Sequence, residues 1–269
     1  MSHALSIMNP FFMLVCCAAL AQNERAVMPV RLPGTSLDTS LRNEADRAIR
    51  QSVRWLAARQ QADGAWGVTN RVRVTALVVT ALAAASCPEG DSARARATLW
   101  LGGTAATPLT SLGDHAWRLL ALSLALPETP GRHAYLHDLA RRAQPAATGA
   151  SADDSRLWRE VLSQAGQEAP TVSESKDEES RALLAHAAAA WPPALDGTRA
   201  LWRLARMINR SAGGQLLRGQ TPLDWRNHMA NRLITAQKND PDGGGFWSAA
   251  TPDRQLAETA YGILGLLEL

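Results

Sequence analysis

The sequence predicts an all-α protein assembled from repeated helix pairs, on three observations. Ala and Leu dominate the apolar residues while β-branched residues are sparse, a balance that favours helix over strand. From Asn43 onward apolar residues recur at helical spacing, and no stretch sustains the alternation of a strand. Two distant segments share one pattern of helix, Gln, Asp-Gly turn, Trp and second helix. With 269 residues, 46% hydrophobic and 20% charged, the chain can bury a sizeable core as one domain or at most two small ones.

Residues 1–21 read as an export signal. Phe11 to Ala21 is an apolar run of signal-peptide length, too short to span a bilayer comfortably, and Ala19-Leu20-Ala21 forms a small-x-small cleavage site before Gln22. No Lys or Arg precedes the run, so a retained amphipathic membrane anchor is the alternative. Cys16 and Cys17 fall inside this segment without the small residues that precede a lipidated cysteine. Cleavage would leave Cys87 as the single cysteine, with no internal disulfide and no membrane span, in a periplasmic or secreted protein. A lone Cys before Pro88 reads as a small apolar filler rather than a nucleophile. Residues 22–42, with Pro29, Pro33 and Gly34, read as an extended leader.

Ala45, Ile49, Val53 and Leu56 mark one face of a first helix that ends at Gln60, where Asp63-Gly64 signals a turn. Further helices are expected near 71–85, 91–101, 112–126, 132–143, 153–165, 177–190, 196–209, 221–237 and 252–268. That makes about ten helices, or five pairs. Asp196 is placed to cap one start, and Thr221-Pro222 offers another helix a cap and a proline at its first position. The stretch 144–180, rich in Ala, Ser, Glu and Asp, is the expected long loop or insertion, with a helical stretch inside it.

The repeat aligns Gln60, Asp63, Gly64 and Trp66 with Gln237, Asp242, Gly243 and Trp247, and Thr75-Ala76-Leu77 with Thr259-Ala260-Tyr261. A more degenerate third copy lies within 111–126, where Ala116-Trp117 stands in the place of Ala260-Tyr261. A helix pair cannot cover its own apolar faces and therefore needs neighbours. Glycine permits the tight reversal, Trp packs over the helix ends, and Gln, a donor and acceptor together, can tie exposed backbone groups there.

These elements resemble the repeats of the prenyltransferase and squalene-hopene cyclase (terpenoid cyclase) superfamily. The Gln…Asp-Gly…Trp element is similar to that family's QW repeat, and the Thr-Ala-Leu helix to its inner barrel helix. The match is good over 43–86 and 226–269 and weaker over 96–126. The resemblance implies an α/α toroid: one barrel, complete or incomplete, of inner and outer helices around a central cavity. The family's chemistry is not matched. Ser151-Ala152-Asp153-Asp154 lacks the first carboxylate of an Asp-x-Asp-Asp acid motif, and a helix cap explains the Asp pair. Glu258 stands where the protein prenyltransferases place a zinc-binding His, without a partner Cys, and the Gly-Cys-Gly-Glu-Gln thioester motif is missing.

Several side chains remain as candidates. Asp114 and Glu258 each sit near the start of an expected inner helix, just before an aromatic, where two acids can act as acid and base; the helix dipole alone also explains acids in a first turn. His115 beside Asp114 can be a polarised base, although no nucleophile is visible. Trp117, Trp225 and Tyr261 are the expected ligand-binding aromatics, while Trp66 and Trp247 belong to the repeat and read as structural. His133 and His137, four residues apart beside Asp138, lack a third metal ligand, and Asp240, Asp242 and Gly243 to Gly245 lack the calcium-loop series. No metal or other cofactor is expected.

The pI of 9.0 does not signal nucleic acid. The net charge is only +3, Lys176 and Lys238 are the only lysines, and the arginines are spread along the helices. The sequence therefore predicts an exported, non-catalytic toroid that binds an apolar, lipid or isoprenoid-like ligand, an extended ligand, or an envelope partner protein. A diverged enzyme (isoprenoid cyclase-like, or carbohydrate-active through Asp114 and Glu258) is the alternative, and a structural scaffold of an envelope complex is a third reading.

Overall fold

The computed structural model describes residues 37–269 except 105–108, 110, 144–151, 165–181, 183, 211–213 and 219–220. The expected signal segment, most of the leader and much of the 144–180 stretch lie outside the described residues. Among the described residues, nine helices have twelve or more residues: α1 (Thr39–Ala58), α2 (Arg71–Ala85), α3 (Pro88–Gly103), α4 (Leu112–Ala125), α5 (Pro130–Ala143), α6 (Ala152–Gln164), α7 (Thr198–Arg210), α8 (Trp225–Ala236) and α9 (Pro252–Leu267). A short helical stretch covers 184–189. Two small antiparallel ladders pair β1 (Leu217–Arg218) with β2 (Thr221–Pro222), and β3 (Lys238–Asn239) with β4 (Gly245–Phe246). Among the described residues the protein is all-α apart from these ladders, as its composition predicts.

Burial divides the helices into two sets. Every residue from Val74 to Leu82 in α2, from His115 to Ser123 in α4, and from Thr259 to Leu266 in α9 is buried. A helix buried on all sides belongs to an interior row. α1 and α3 bury one stripe each, α1 through Ala45, Ile49, Val53 and Leu56 as its periodicity predicts. The interior row follows the order α7–α9–α2–α4–α6, each helix packed on the next. α8, α1 and α3 lie outside it and pack on one another in that order around α9 and α2, with α5 against α4.

The last pair is thereby seated beside the first. Gln237, at the end of α8, donates to the Ala48 carbonyl and the Ser52 hydroxyl of α1 (2.9 and 2.8 Å). Gln60, at the end of α1, donates in the same way to the Ala93 carbonyl of α3 (2.7 Å). Asp253, at the start of α9, accepts from the backbone of Val68 and Thr69 ahead of α2 (2.8 and 2.9 Å).

The two repeat copies share the hydrogen bonds of their tryptophans. The indole N–H of Trp66 donates to the Leu56 carbonyl (2.8 Å) and that of Trp247 to the Leu233 carbonyl (2.9 Å). These carbonyls lie in the last turn of α1 and of α8, where helical partners run out. The backbone N–H of each Trp donates to a threonine hydroxyl of the following helix, Thr75 or Thr259 (2.9 and 3.3 Å). Gly64 and Gly243 turn the chain at φ +93° and +80°, a region open to glycine. The second copy is longer by four residues, and these are the two strands of the β3–β4 ladder: the Gln61–Ala65 turn reappears as Asp240–Gly244 on top of it.

The structure corrects three local expectations. Thr221-Pro222 does not start a helix: it forms β2, and α8 begins three residues later with Asp224 at its N-cap position. The same Thr-Pro pair does cap α9, where the Thr251 hydroxyl accepts from the Arg254 backbone (3.3 Å) and Pro252 opens the helix. Asp196 stands outside α7, which starts at Thr198. The leader ends earlier than expected, since α1 begins at Thr39; α6, at Ala152–Gln164, is the helical stretch expected inside 144–180.

Trp66→Phe and Trp247→Phe each remove the indole donor from a helix-end carbonyl, although the Leu56 carbonyl keeps the Arg59 backbone N–H. Each is expected to lower the free energy of unfolding by about 2–3 kcal/mol, measured by urea titration. Equal losses at both sites would express the equivalence of the two copies.

Candidate functional site

The interior helices run parallel and begin at one end of the molecule. Near their starts, Arg73 of α2 lies 3.6 Å from the Asp114 carboxylate of α4 and 3.5 Å from that of Asp154 in α6. Thr198 of α7 meets Glu258 of α9 there. At the opposite end, Asn209 of α7 donates to the Glu268 carboxylate beyond α9 (3.0 Å).

Inside this end lie three aromatic rings. Trp117 of α4, Trp202 of α7 and Tyr261 of α9 meet pairwise, with centroids 5.8, 5.9 and 5.2 Å apart. α4 and α7 are separated in the row by α9 and α2, so the row curves until rings from non-adjacent helices touch. The three residues are 2%, 6% and 6% exposed, so aromatic surface is buried where α4, α7 and α9 meet. Arg206 lies over the Trp202 ring at 5.0 Å, and Arg199 over Tyr261 at 5.9 Å. Burial pushes the Tyr261 phenol above its ordinary value.

Of the predicted ligand-binding aromatics, Trp117 and Tyr261 are brought together, and Trp202 completes their cluster. Trp225 is not part of it: it is buried in α8, donates its indole N–H to the Gly214 carbonyl (3.2 Å), and carries Arg226 over its ring.

The predicted acids have different surroundings. Glu258 holds the start of α7, accepting from the backbone N–H of Thr198 (2.8 Å) and from its hydroxyl (2.6 Å). This is the contact of a helix cap supplied by a neighbouring helix. Asp114 is half-buried, and burial raises its carboxyl above the ordinary value even though Arg73 pulls the other way. Its Oδ1 is buried and accepts no hydrogen bond among the described residues; Arg73 stands at ion-pair distance only. Asp154 sits against Gly113, where a Cβ would come within 2.3 Å of its Oδ1. The side chain of Asp153 lies outside the described residues.

His115 takes the place that Thr75 and Thr259 hold in the other copies. Its Nε2 lies 3.0 Å from the Leu109 carbonyl, which can only accept, so this nitrogen carries the proton. Nδ1 then faces the buried Arg118 guanidinium at 3.5 Å. Both ring nitrogens are thus directed away from Asp114. Burial pushes the imidazole below its ordinary value.

His133 and His137 are exposed on α5, and Arg141 and Arg142 hold Asp138. No group of three metal-binding side chains occurs among the described residues, and none of the described helices is long and apolar enough to cross a membrane. Sequence reasoning missed Arg73 and Trp202. Arg73 is legible only once the repeat is aligned, since Gly113 and Ala257 occupy its position in the other copies. Trp202 lies in a helix outside the two clear copies.

Compared with known proteins, the chain matches no family model and no curated protein.

A carboxyl raised by burial favours the fold in its protonated form and weakens it once ionised, as pH rises through the folded-state value. Asp114→Asn is therefore expected to raise the urea midpoint at pH 7, with the gain vanishing by pH 3, where the native carboxyl is protonated in both states. An Asn variant equally displaced at both pH values would show that the Arg73 contact cancels burial, and one less stable relative to wild type at pH 7 than at pH 3 that it outweighs it.

Proposed function

We propose that this chain is an exported, non-catalytic α/α toroid, similar in plan to the terpenoid cyclases, which binds a partner protein or an extended ligand where its interior helices begin. The observation that carries this reading is the Trp117–Trp202–Tyr261 cluster. A cyclase-like pocket needs a hollow among the interior helices, and three rings from α4, α7 and α9 meet one another there. An apolar or isoprenoid-like ligand would have to displace them, whereas a partner needs only the surface around them. That surface carries both charge signs, from Arg73, Arg199, Asp154 and Glu258, and suits a polar, extended contact. A scaffold for an envelope complex is the limiting form of the same role.

Two features support the toroid plan. The interior row curves, and Glu160 of α6 pairs with Arg206 and Arg210 of α7, joining its two end helices. The paired Gln–Trp elements tie each outer helix to its neighbour. Export rests on the apolar run and the cleavage site at Ala21.

A photo-crosslinking residue at Arg199 is expected to trap a discrete partner in the native host, whereas one at Ser86, at the far end of α2, should trap none. Equal trapping at both sites, or co-purification of a lipid alone, would refute the reading. N-terminal sequencing of the mature protein is expected to begin at Gln22; a chain that retains residues 1–21 would overturn cleavage.

A second reading is favoured by Asp114, a half-buried carboxyl with raised affinity for its proton beside an aromatic floor: a diverged enzyme, isoprenoid cyclase-like or carbohydrate-active, with Asp114 as its acid. The carbohydrate version also needs Glu258 as a second carboxylate, and that group is engaged in holding α7. Asp114→Asn separates the readings: partner trapping survives it under the first, and any turnover is lost under the second.

A further inference from the structure

An aspartate followed by glycine is the pair most open to attack by its own main chain, because glycine carries no side chain to hinder the approach of its nitrogen to the carboxyl carbon. The sequence has three Asp-Gly pairs and no Asn-Gly. Asp63-Gly64 and Asp242-Gly243 are the turns of the two repeat copies, and Asp196-Gly197 directly precedes α7. Their surroundings differ. The Gly64 N–H donates to the Gln61 carbonyl (2.9 Å), Gly64 is buried, and the Asp63 carboxylate is held by Arg71 and by the Ala65 N–H. The Gly243 N–H donates to the Asp240 carbonyl (2.9 Å), although Asp242 is exposed. Asp196 and Gly197 are both exposed, and among the described residues neither the Asp196 carboxylate nor the Gly197 N–H makes a hydrogen bond or ion pair.

We infer that Asp196-Gly197 is a site of spontaneous isomerisation to isoaspartate, and that this self-modification slackens the start of α7. The Gly197 nitrogen gives up its proton to water and attacks Cγ of the Asp196 carboxyl. The new Cγ–N bond closes a five-membered succinimide, and one carboxyl oxygen leaves as water. Water then opens the ring. Cleavage of the Cγ–N bond restores aspartate. Cleavage of the original peptide C–N bond leaves the chain running through Cβ and Cγ, with the former peptide carbonyl as a free carboxylate. Nothing is oxidised or reduced, water is the only co-reactant, and the main chain gains one atom. Here that atom enters a short span tied at both ends. Arg232 of α8 donates to the Pro193 (2.9 Å) and Leu195 carbonyls on one side, and Glu258 of α9 accepts from the Thr198 N–H (2.8 Å) and hydroxyl on the other. Gly197 has φ +82°, and a Cβ there would stand 3.2 Å from Oε2 of Glu258, so the span follows that carboxylate closely. A longer span breaks this fit, and the contact it strains is the cap of α7.

The test ages the purified full chain in neutral buffer, labels isoaspartyl carboxylates with an isoaspartyl methyltransferase and a labelled methyl donor, and locates the label by peptide mapping. Label at Asp196 is expected to exceed that at Asp63 and at Asp242 at least about fivefold, which corresponds to releasing a hydrogen bond of roughly 1 kcal/mol before either of the other amides can react. Asp196→Glu, whose ring would need a sixth member, should lose this label and keep the others. The urea midpoint of wild type should fall on ageing, while aged Asp196→Glu should hold its fresh value. If circular dichroism shows that the Glu variant does not fold, Asp196→Ser replaces it with the same expectations. No label at Asp196, or label at Asp63 or Asp242 equal to it, would overturn the site. A labelled Asp196 with an unchanged midpoint would overturn the slackening of α7.

Discussion

Helix ends set the terms of this structure. An α-helix leaves its last carbonyls without internal partners, and a molecule made of short helices multiplies that cost. Here one side chain answers it in each clear repeat: an indole N–H reaches back to the last turn of the preceding helix, from Trp66 to Leu56 and from Trp247 to Leu233. Only tryptophan combines a ring broad enough to seal the junction with a donor at its rim. Its backbone N–H is held by a threonine of the next helix, so a single residue fixes the relation between an outer and an interior helix. The neighbouring glutamine then fixes the relation between successive outer helices.

Such a division of labour explains why the interior helices can be so plain. With junctions specified by Trp, Thr and Gln, α2 needs besides Thr75 and Thr80 only small and branched apolar residues from Val74 to Leu82, all of them buried. In α2, α4 and α9, with the buried Arg118 of α4 an exception, most charged groups stand toward the helix starts. There they meet as Arg73 with Asp114 and Asp154, and as Glu258 with Thr198. One end of the interior row therefore concentrates the polar chemistry, with the aromatic rings directly inside it.

Much of this architecture was legible in the sequence because its signals are local. Helical periodicity located the helices to within a few residues, and the Gln–Asp-Gly–Trp pattern identified two copies whose tryptophan hydrogen bonds agree. The four extra residues of the second copy were visible as a longer turn, but their pairing as a ladder depends on a register that spacing does not encode. Thr221-Pro222 misled because a cap signature and a short strand use the same residues; the ladder with Leu217 and Arg218 decided the outcome. The site was less legible. Trp117 and Tyr261 could be nominated from their equivalent places, but Trp202 and Arg73 arrive from helices whose neighbours only the folded row reveals. Glu258 was readable as an acid in a first turn, yet the helix it serves is α7, sixty residues earlier in the chain. Trp225 gave no sign of its bond to Gly214 rather than to the aromatic cluster.

The tie between Gln237 and Ala48 spans a sequence separation of 189 residues. A linear stack of repeats can zip up behind the ribosome, each pair docking on the one before it. A chain whose final pair is also its first pair's neighbour cannot finish that way. α1 and α2 must wait, with one flank uncovered, until α8 and α9 have been synthesised. For an interval the nascent protein therefore shows apolar surface that its native form conceals, and chaperone demand should be concentrated in that interval.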